Sequence, residues 1–343
     1  MASVERQDWG TVSGGQVHRY LLSNAAGNTV AILNYGGIVQ SIHIDGAEVV
    51  IGYDELDGYL GEQPFYGAIV GRYANRIGGA SFKLGGQTYR LDANEGKNQL
   101  HGGSEGFNTK LWAAEPSTEG AAAVLRLRRL SPDGEMGYPG NLDVTVTYTW
   151  DDANALRIDY HATTDRDTVV NLTSHCYFNI GDDADVLDHI LQVDADRYTP
   201  VGPDQIPTGE LPSVNGTPFD LRSPRRIGEA IADDHPQMKA AGGFDHNLAV
   251  SSHTGKLREV ALVMDPRSGR KLRCLTTEPG VQVFTTNFPT GQFTGRGNAS
   301  LPRHAAVCLE TQHFPDAPNQ PDFPSTVLKA GETFNSTTVF RFE

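Results

Sequence analysis

The stretch Leu142–Trp150, LDVTVTYTW, alternates without a break. Leu142, Val144, Val146, Tyr148 and Trp150 fall on one side and Asp143, Thr145, Thr147 and Thr149 on the other. A period of two marks a strand with one buried and one wet face, and it rules out an amphipathic helix there. Asp151-Asp152-Ala153-Asn154 supplies turn chemistry, and residues 156–162 repeat the pattern with Leu156, Ile158 and Tyr160, so the pair reads as an antiparallel hairpin. Further short apolar runs read as strands at 29–33, 38–44, 66–70, 81–84, 122–128, 168–180, 259–264, 271–276, 281–286, 304–311 and 337–342. Glycine makes up 38 of the 343 residues and falls with proline between these runs, which is the punctuation of an all-β chain. Helical spacing is confined to a segment at 224–232, where Ile227 and Ile231 lie four apart. No repeat, low-complexity tract or linker divides the chain. The expectation is an all-β protein, a large antiparallel β-sandwich with few short helices, forming a single domain over residues 1–343.

The formal charge of −14 opposes binding to nucleic acid or to an anionic membrane, but leaves a neutral ligand open. Three scattered cysteines, Cys176, Cys274 and Cys308, make neither a disulfide framework nor a zinc site. The N-terminus MASVERQDWG lacks a secretory pattern, and no apolar run is long enough to span a bilayer. A soluble cytoplasmic protein is expected.

Strand faces sort the candidate chemistry. In residues 167–180, DTVVNLTSHCYFNI, one face carries Val170, Leu172, Ser174, Cys176, Phe178 and Ile180, which suits a core. The other carries Val169, Asn171, Thr173, His175, Tyr177 and Asn179, polar but uncharged, and reads as the floor of a polar cleft. A lone histidine in a sheet is usually a satisfied half-buried one; this company favours function. Glu310 ends the apolar run 305–309 and shares its face with Ala306, Cys308 and Gln312. Lost hydration should raise its pKa towards the range useful for proton transfer. A proline-rich loop follows at 315–324 and is expected to fix the cleft rim.

Other patterns carry less. Gly102-Gly103-Ser104-Glu105-Gly106 matches a nucleophile elbow, but no helix pattern follows it. Glu310 and His313 are spaced as metal ligands on a helix; on a strand they point to opposite faces. The histidines show no tight ligand spacing, so no metal is expected, and no P-loop or dinucleotide fingerprint is present, so no cofactor is expected.

Seven segments, in order, resemble the galactose mutarotase (aldose 1-epimerase) family: GRYANRIGGASF (71–82), NQLHGG (98–103), GEMGYPGNL (134–142), NLTSHCYFNIG (171–181), GGFDHNL (242–248), TTEPGVQVFTTNF (276–288) and LETQHFPDAPNQPDFPS (309–325). The resemblance implies a large antiparallel β-sandwich and cofactor-free interconversion of the α and β anomers of free aldoses. It implies Glu310 as general base and His175 as general acid. His101, Arg76, Asn75 and Asp245 would bind the sugar hydroxyls, and Gln282 would complete the pocket. The partner would be a monosaccharide, on a monomer or homodimer. Ser174, Cys176 and Phe244 depart from the family pattern; the first two should alter packing and the third sugar preference. Two alternatives stay open: a glycoside hydrolase using Glu310 and Asp245 as paired carboxylates, and a non-catalytic sugar-binding protein.

Overall fold

The computed structural model describes residues 1–343. Its largest sheet has nine antiparallel strands, with Leu142–Trp150 and its hairpin partner Ala155–Thr164 near the middle. Thr333–Phe342 lies between Ala155–Thr164 and Lys271–Thr276, so the end of the chain fills the centre of that sheet. A five-stranded sheet is built by Ser3–Val12, Gly15–Ser23, Thr29–Leu33, Val39–Ile44 and Ala47–Glu48. The helices are short: Asp57–Leu60, Ile227–Ile231 and Pro236–Ala241. No helix is long and apolar enough to cross a membrane.

A second five-stranded sheet positions the candidate site. Its strands, numbered here in chain order, are β1 (Tyr177–Phe178), β2 (Ala195–Tyr198), β3 (Asp245–Val250), β4 (Gly280–Phe284) and β5 (Val307–Gln312). They lie in the spatial order β1-β5-β4-β3-β2, all antiparallel. Leu248, Val281, Val283, Val307 and Leu309 turn inward and join Leu142, Val144, Val146, Tyr148 and Trp150 of the large sheet in one core. Each fully buried Val or Leu contributes about 1.5–3 kcal/mol relative to exposure. That burial also fixes register, because a one-residue slip would turn the whole inner row outward. Residues of the opposite parity must then face the other way.

The run at 168–180 is not one strand. It breaks into Thr168–Val169, Thr173–Ser174 and Tyr177–Phe178, each paired to a different strand. Between them Asn171 is a buried staple. Its Nδ2 donates to the His313 carbonyl at 3.1 Å, and its Oδ1 accepts the His313 amide at 2.9 Å. The parity assignment holds on the core side, where Val170, Leu172, Cys176, Phe178 and Ile180 all enter the main core. Ser174 and Cys176 pair with each other inside it, at 3.3 Å.

Candidate active site

Cross-strand register builds the site. Tyr177, Cys308, Phe284 and Asp245 form one row across β1, β5, β4 and β3, and Glu310, Gln282 and Asn247 form the next. His175 precedes Tyr177 by two residues and shares its side. Above these rows lies a cleft of about 490 Å³ lined by, among others, Asn75, Arg76, His101, His175, Asp245 and Glu310. Six of the seven residues singled out from the sequence therefore meet in one place. The seventh, Gln282, is not part of the lining. It lies beside Asp245, donating from Nε2 to Oδ1 at 2.7 Å. Of the polar parity at 168–180, His175 and Tyr177 reach the cleft, whereas Asn171 and Asn179 bind main chain elsewhere.

His175 Nε2 stands 3.6 Å from Glu310 Oε1, and both side chains are almost fully buried. Burial pushes the Glu310 carboxyl well above its ordinary range; Asp245 adds to this and Arg76 opposes it. Burial lowers the His175 imidazole to about 3. Asp245 is raised by burial, against Arg76 and Gln282. The pair thus leans towards sharing a single proton in its uncharged form.

His101 and Asn75 are held by a short ladder in which Leu100 pairs with Arg76. The His101 amide donates to the Asn75 carbonyl at 2.9 Å, and the Asn75 amide donates to His101 Nδ1 at 3.1 Å. With Nδ1 accepting, the neutral ring carries its proton on Nε2 and presents a donor. Burial, then His175 and Arg76, keep His101 neutral by pushing its pKa well down. His101, His175 and Glu310 bring ligand atoms within 4.8 Å of one another, close enough for a metal. The tautomer at His101 opposes that use, since its Nε2 lone pair is occupied by the proton.

Both His101 and Asn75 have left-handed backbone, φ 51° and 61°. The glycines after His101 follow from close approach: a Cβ on Gly102 would collide with the Gly71 carbonyl oxygen. Arg72, next along, is buried and donates to carbonyls of Ser131, Pro132, Pro139 and Gly140. That ties the 71–76 segment to the 131–140 loop and accounts for two of the sequence motifs at once.

Three expectations change. The forked edge of Arg76 is taken by Glu95, at 2.7 Å from both Nε and Nη2, rather than left open for a sugar. The proline-rich loop does not line the cleft. Instead Asp316 in that loop accepts the Gly78 amide at 2.9 Å and braces the strand bearing Arg76. Phe244 is buried against Phe219, outside the cleft lining, so it has no direct contact through which to set sugar preference. Sequence reading also missed Glu95, Phe65, Phe284, Phe288 and Phe293, which complete the cleft wall. Phe284 was accessible by parity, two residues from Gln282. The others sit on loops with no periodic signal.

The galactose mutarotases of Bos taurus and Homo sapiens are each 42% identical over the whole chain and 99% of their own length. The aldose 1-epimerase of Escherichia coli K12 is 36% identical over 96% of both chains. The crystal structure of a galactose 1-epimerase from Lactobacillus acidophilus NCFM superposes with a TM-score of 0.90 at 29% identity, covering 100% of this chain and 99% of that one. Residues 18–341 match the aldose 1-epimerase family model, and a match of that extent, over strands that carry both the cleft and the core, makes this chain a member of the aldose 1-epimerase family.

Proposed function

We propose that the chain interconverts the α and β anomers of free aldoses such as D-galactose and D-glucose, with Glu310 as general base and His175 as general acid. The anomerase activity rests on the aldose 1-epimerase family membership and the full-length likeness to galactose mutarotases. The residue roles rest on one observation: a carboxylate and an imidazole, 3.6 Å apart and buried, at the floor of a sugar-sized cleft.

Glu310 takes the proton of the C1 hydroxyl while the bond from C1 to the ring oxygen breaks. The imidazolium of His175 gives its proton to that ring oxygen. The open-chain aldehyde rotates about C1–C2 and the steps reverse on the other carbonyl face. Opening moves the charged pair, carboxylate and imidazolium, to an uncharged acid and imidazole. A buried site disfavours both charges, as the raised Glu310 and lowered His175 indicate, so forming the reactive charged pair costs free energy that the neutralising opening step returns. His101 would donate from Nε2, Asp245 would accept from sugar hydroxyls, and Arg76 would balance the local negative charge. Each acid or base contributes about 10²–10⁴-fold.

Polarimetry of freshly dissolved α-D-galactose and α-D-glucose tests this. The wild type should speed the drift of rotation to equilibrium, and Glu310→Gln should not. Equal rates for the two proteins would remove Glu310 from the base role.

A further inference from the structure

An acid–base histidine is ordinarily aimed by a hydrogen bond to its second ring nitrogen. His175 has no such partner in another residue: Nδ1 is buried and meets no hydrogen-bonding group beyond its own main chain. Its ring instead has two nearly parallel aromatic rings beside it. Tyr177 lies nearly parallel on one side, with centroids 4.9 Å apart and an angle of 9°. Phe65 lies nearly parallel as well, at 6.1 Å and 14°. His101 meets the same ring edge-on at 5.2 Å, and Phe65 meets His101 at 4.7 Å.

One residue anchors both slices. The Tyr177 ring supports His175 directly, while its hydroxyl donates to the Pro64 carbonyl at 2.6 Å. That bond pins the loop immediately before Phe65. The Ala68 amide pins it again, donating to the Phe65 carbonyl at 3.0 Å. Phe65 itself has left-handed backbone, φ 62°, a conformation a phenylalanine adopts only when its surroundings impose it.

We infer that Phe65 and Tyr177 are positioning residues that clamp the His175 ring by stacking, in place of a hydrogen bond, so that Nε2 faces Glu310. The clamp confines the ring to one plane. It also presents aromatic faces to the imidazolium, which they stabilise as they do other cations. Removing one face lets the ring tilt, and small misplacements of a reacting group are costly. This inference rests on the reading of His175 as the acid.

The test is a double-mutant cycle on galactose mutarotation with Phe65→Leu, His175→Asn and the two together, plus Phe65→Tyr as the conservative variant. Phe65→Leu is expected to lower kcat about ten- to a hundredfold with KM moving less than about threefold. The loss should largely vanish when His175 is already Asn, and Phe65→Tyr should keep most of the wild-type kcat. A rise in KM at constant kcat would make Phe65 a sugar platform and overturn the clamp. An undiminished loss in the His175→Asn background would do the same. Full activity in His175→Asn alone would overturn the acid assignment and the clamp with it, whereas a slow His175→Asn without coupling to Phe65 overturns the clamp only. Tyr177→Phe keeps the supporting ring but frees Pro64, and should show part of the Phe65→Leu defect in kcat; a wild-type kcat there would remove the hydroxyl from the device.

Discussion

Asp316 donates its main-chain amide to the carbonyl of Arg76 over 2.8 Å, and its carboxylate accepts the amide of Gly78. The strand end that carries Glu310 and the strand that carries Arg76 are thereby locked through a loop that does not line the cleft. Asp316→Ala should destabilise the protein by about 1–3 kcal/mol, the cost of leaving buried donors unmet. It should also raise KM, because the guanidinium loses its brace. Thermal melting and steady-state polarimetry read the two effects separately; a fall in stability with KM unchanged would confine Asp316 to folding.

Replacing either member of the central pair should act on kcat. Glu310→Gln and His175→Asn are each expected to lose about 10²–10⁴-fold. Because both residues serve one proton cycle, the double variant should lose little more than the worse single one. Additive losses would mean that the two act in separate steps.

The same pair sets opposite slopes of stability with pH. A carboxyl raised on folding, as Glu310 is, binds its proton more tightly in the native state. Its contribution is present below the unfolded pKa and is lost as pH rises through the native one. Glu310→Gln removes that loss, so its melting temperature should exceed the wild type's at about pH 8 and converge on it near the ordinary carboxylate range. His175, lowered to about 3, works the other way. Its contribution is present above the ordinary imidazole range and is lost as pH falls towards that value. His175→Asn should therefore melt less steeply with acidification than the wild type. Melting curves across pH decide both.

Glu95 occupies the fork of Arg76. Removing it in Glu95→Ala frees both nitrogens of the fork, which then meet Asp245 and Glu310, the acids that already act on this guanidinium. Drawing Arg76 closer would pull the Glu310 pKa down. The alkaline limb of the rate profile, set by loss of the shared proton, should shift to lower pH. An unmoved profile would mean that the fork stays in place without Glu95.

Gly102 has φ +87°, and a Cβ there would strike the Gly71 carbonyl. Gly102→Ala should cost more than the roughly 1–3 kcal/mol of a strained backbone position alone. Denaturant melts would measure it, and the damage should reach activity because His101 is the adjacent residue.

Legibility in the sequence followed burial. Leu142–Trp150 was bounded to the residue because one face is fully buried and the other wet. Ser3–Val12 and Gly15–Ser23 were missed: the first is an edge strand with no buried residue, so no apolar alternation marks it. The run at 168–180 was joined because its parity is continuous, although its hydrogen bonds go to three different strands. Parity brought out His175 and Glu310, and resemblance brought out Arg76, His101 and Asp245. Neither could reveal that Glu95 occupies the Arg76 fork or that Gln282 stands beside Asp245, since side-chain partners far apart in the chain leave no local pattern.

The strand Thr333–Phe342 sits between Ala155–Thr164 and Lys271–Thr276 at the middle of the nine-stranded sheet. While the chain is being synthesised, those two neighbours wait with facing edges unpaired until residue 342 has left the ribosome. The nine-stranded sheet can close only once that strand is in place, so a product truncated before it would expose two naked strand edges.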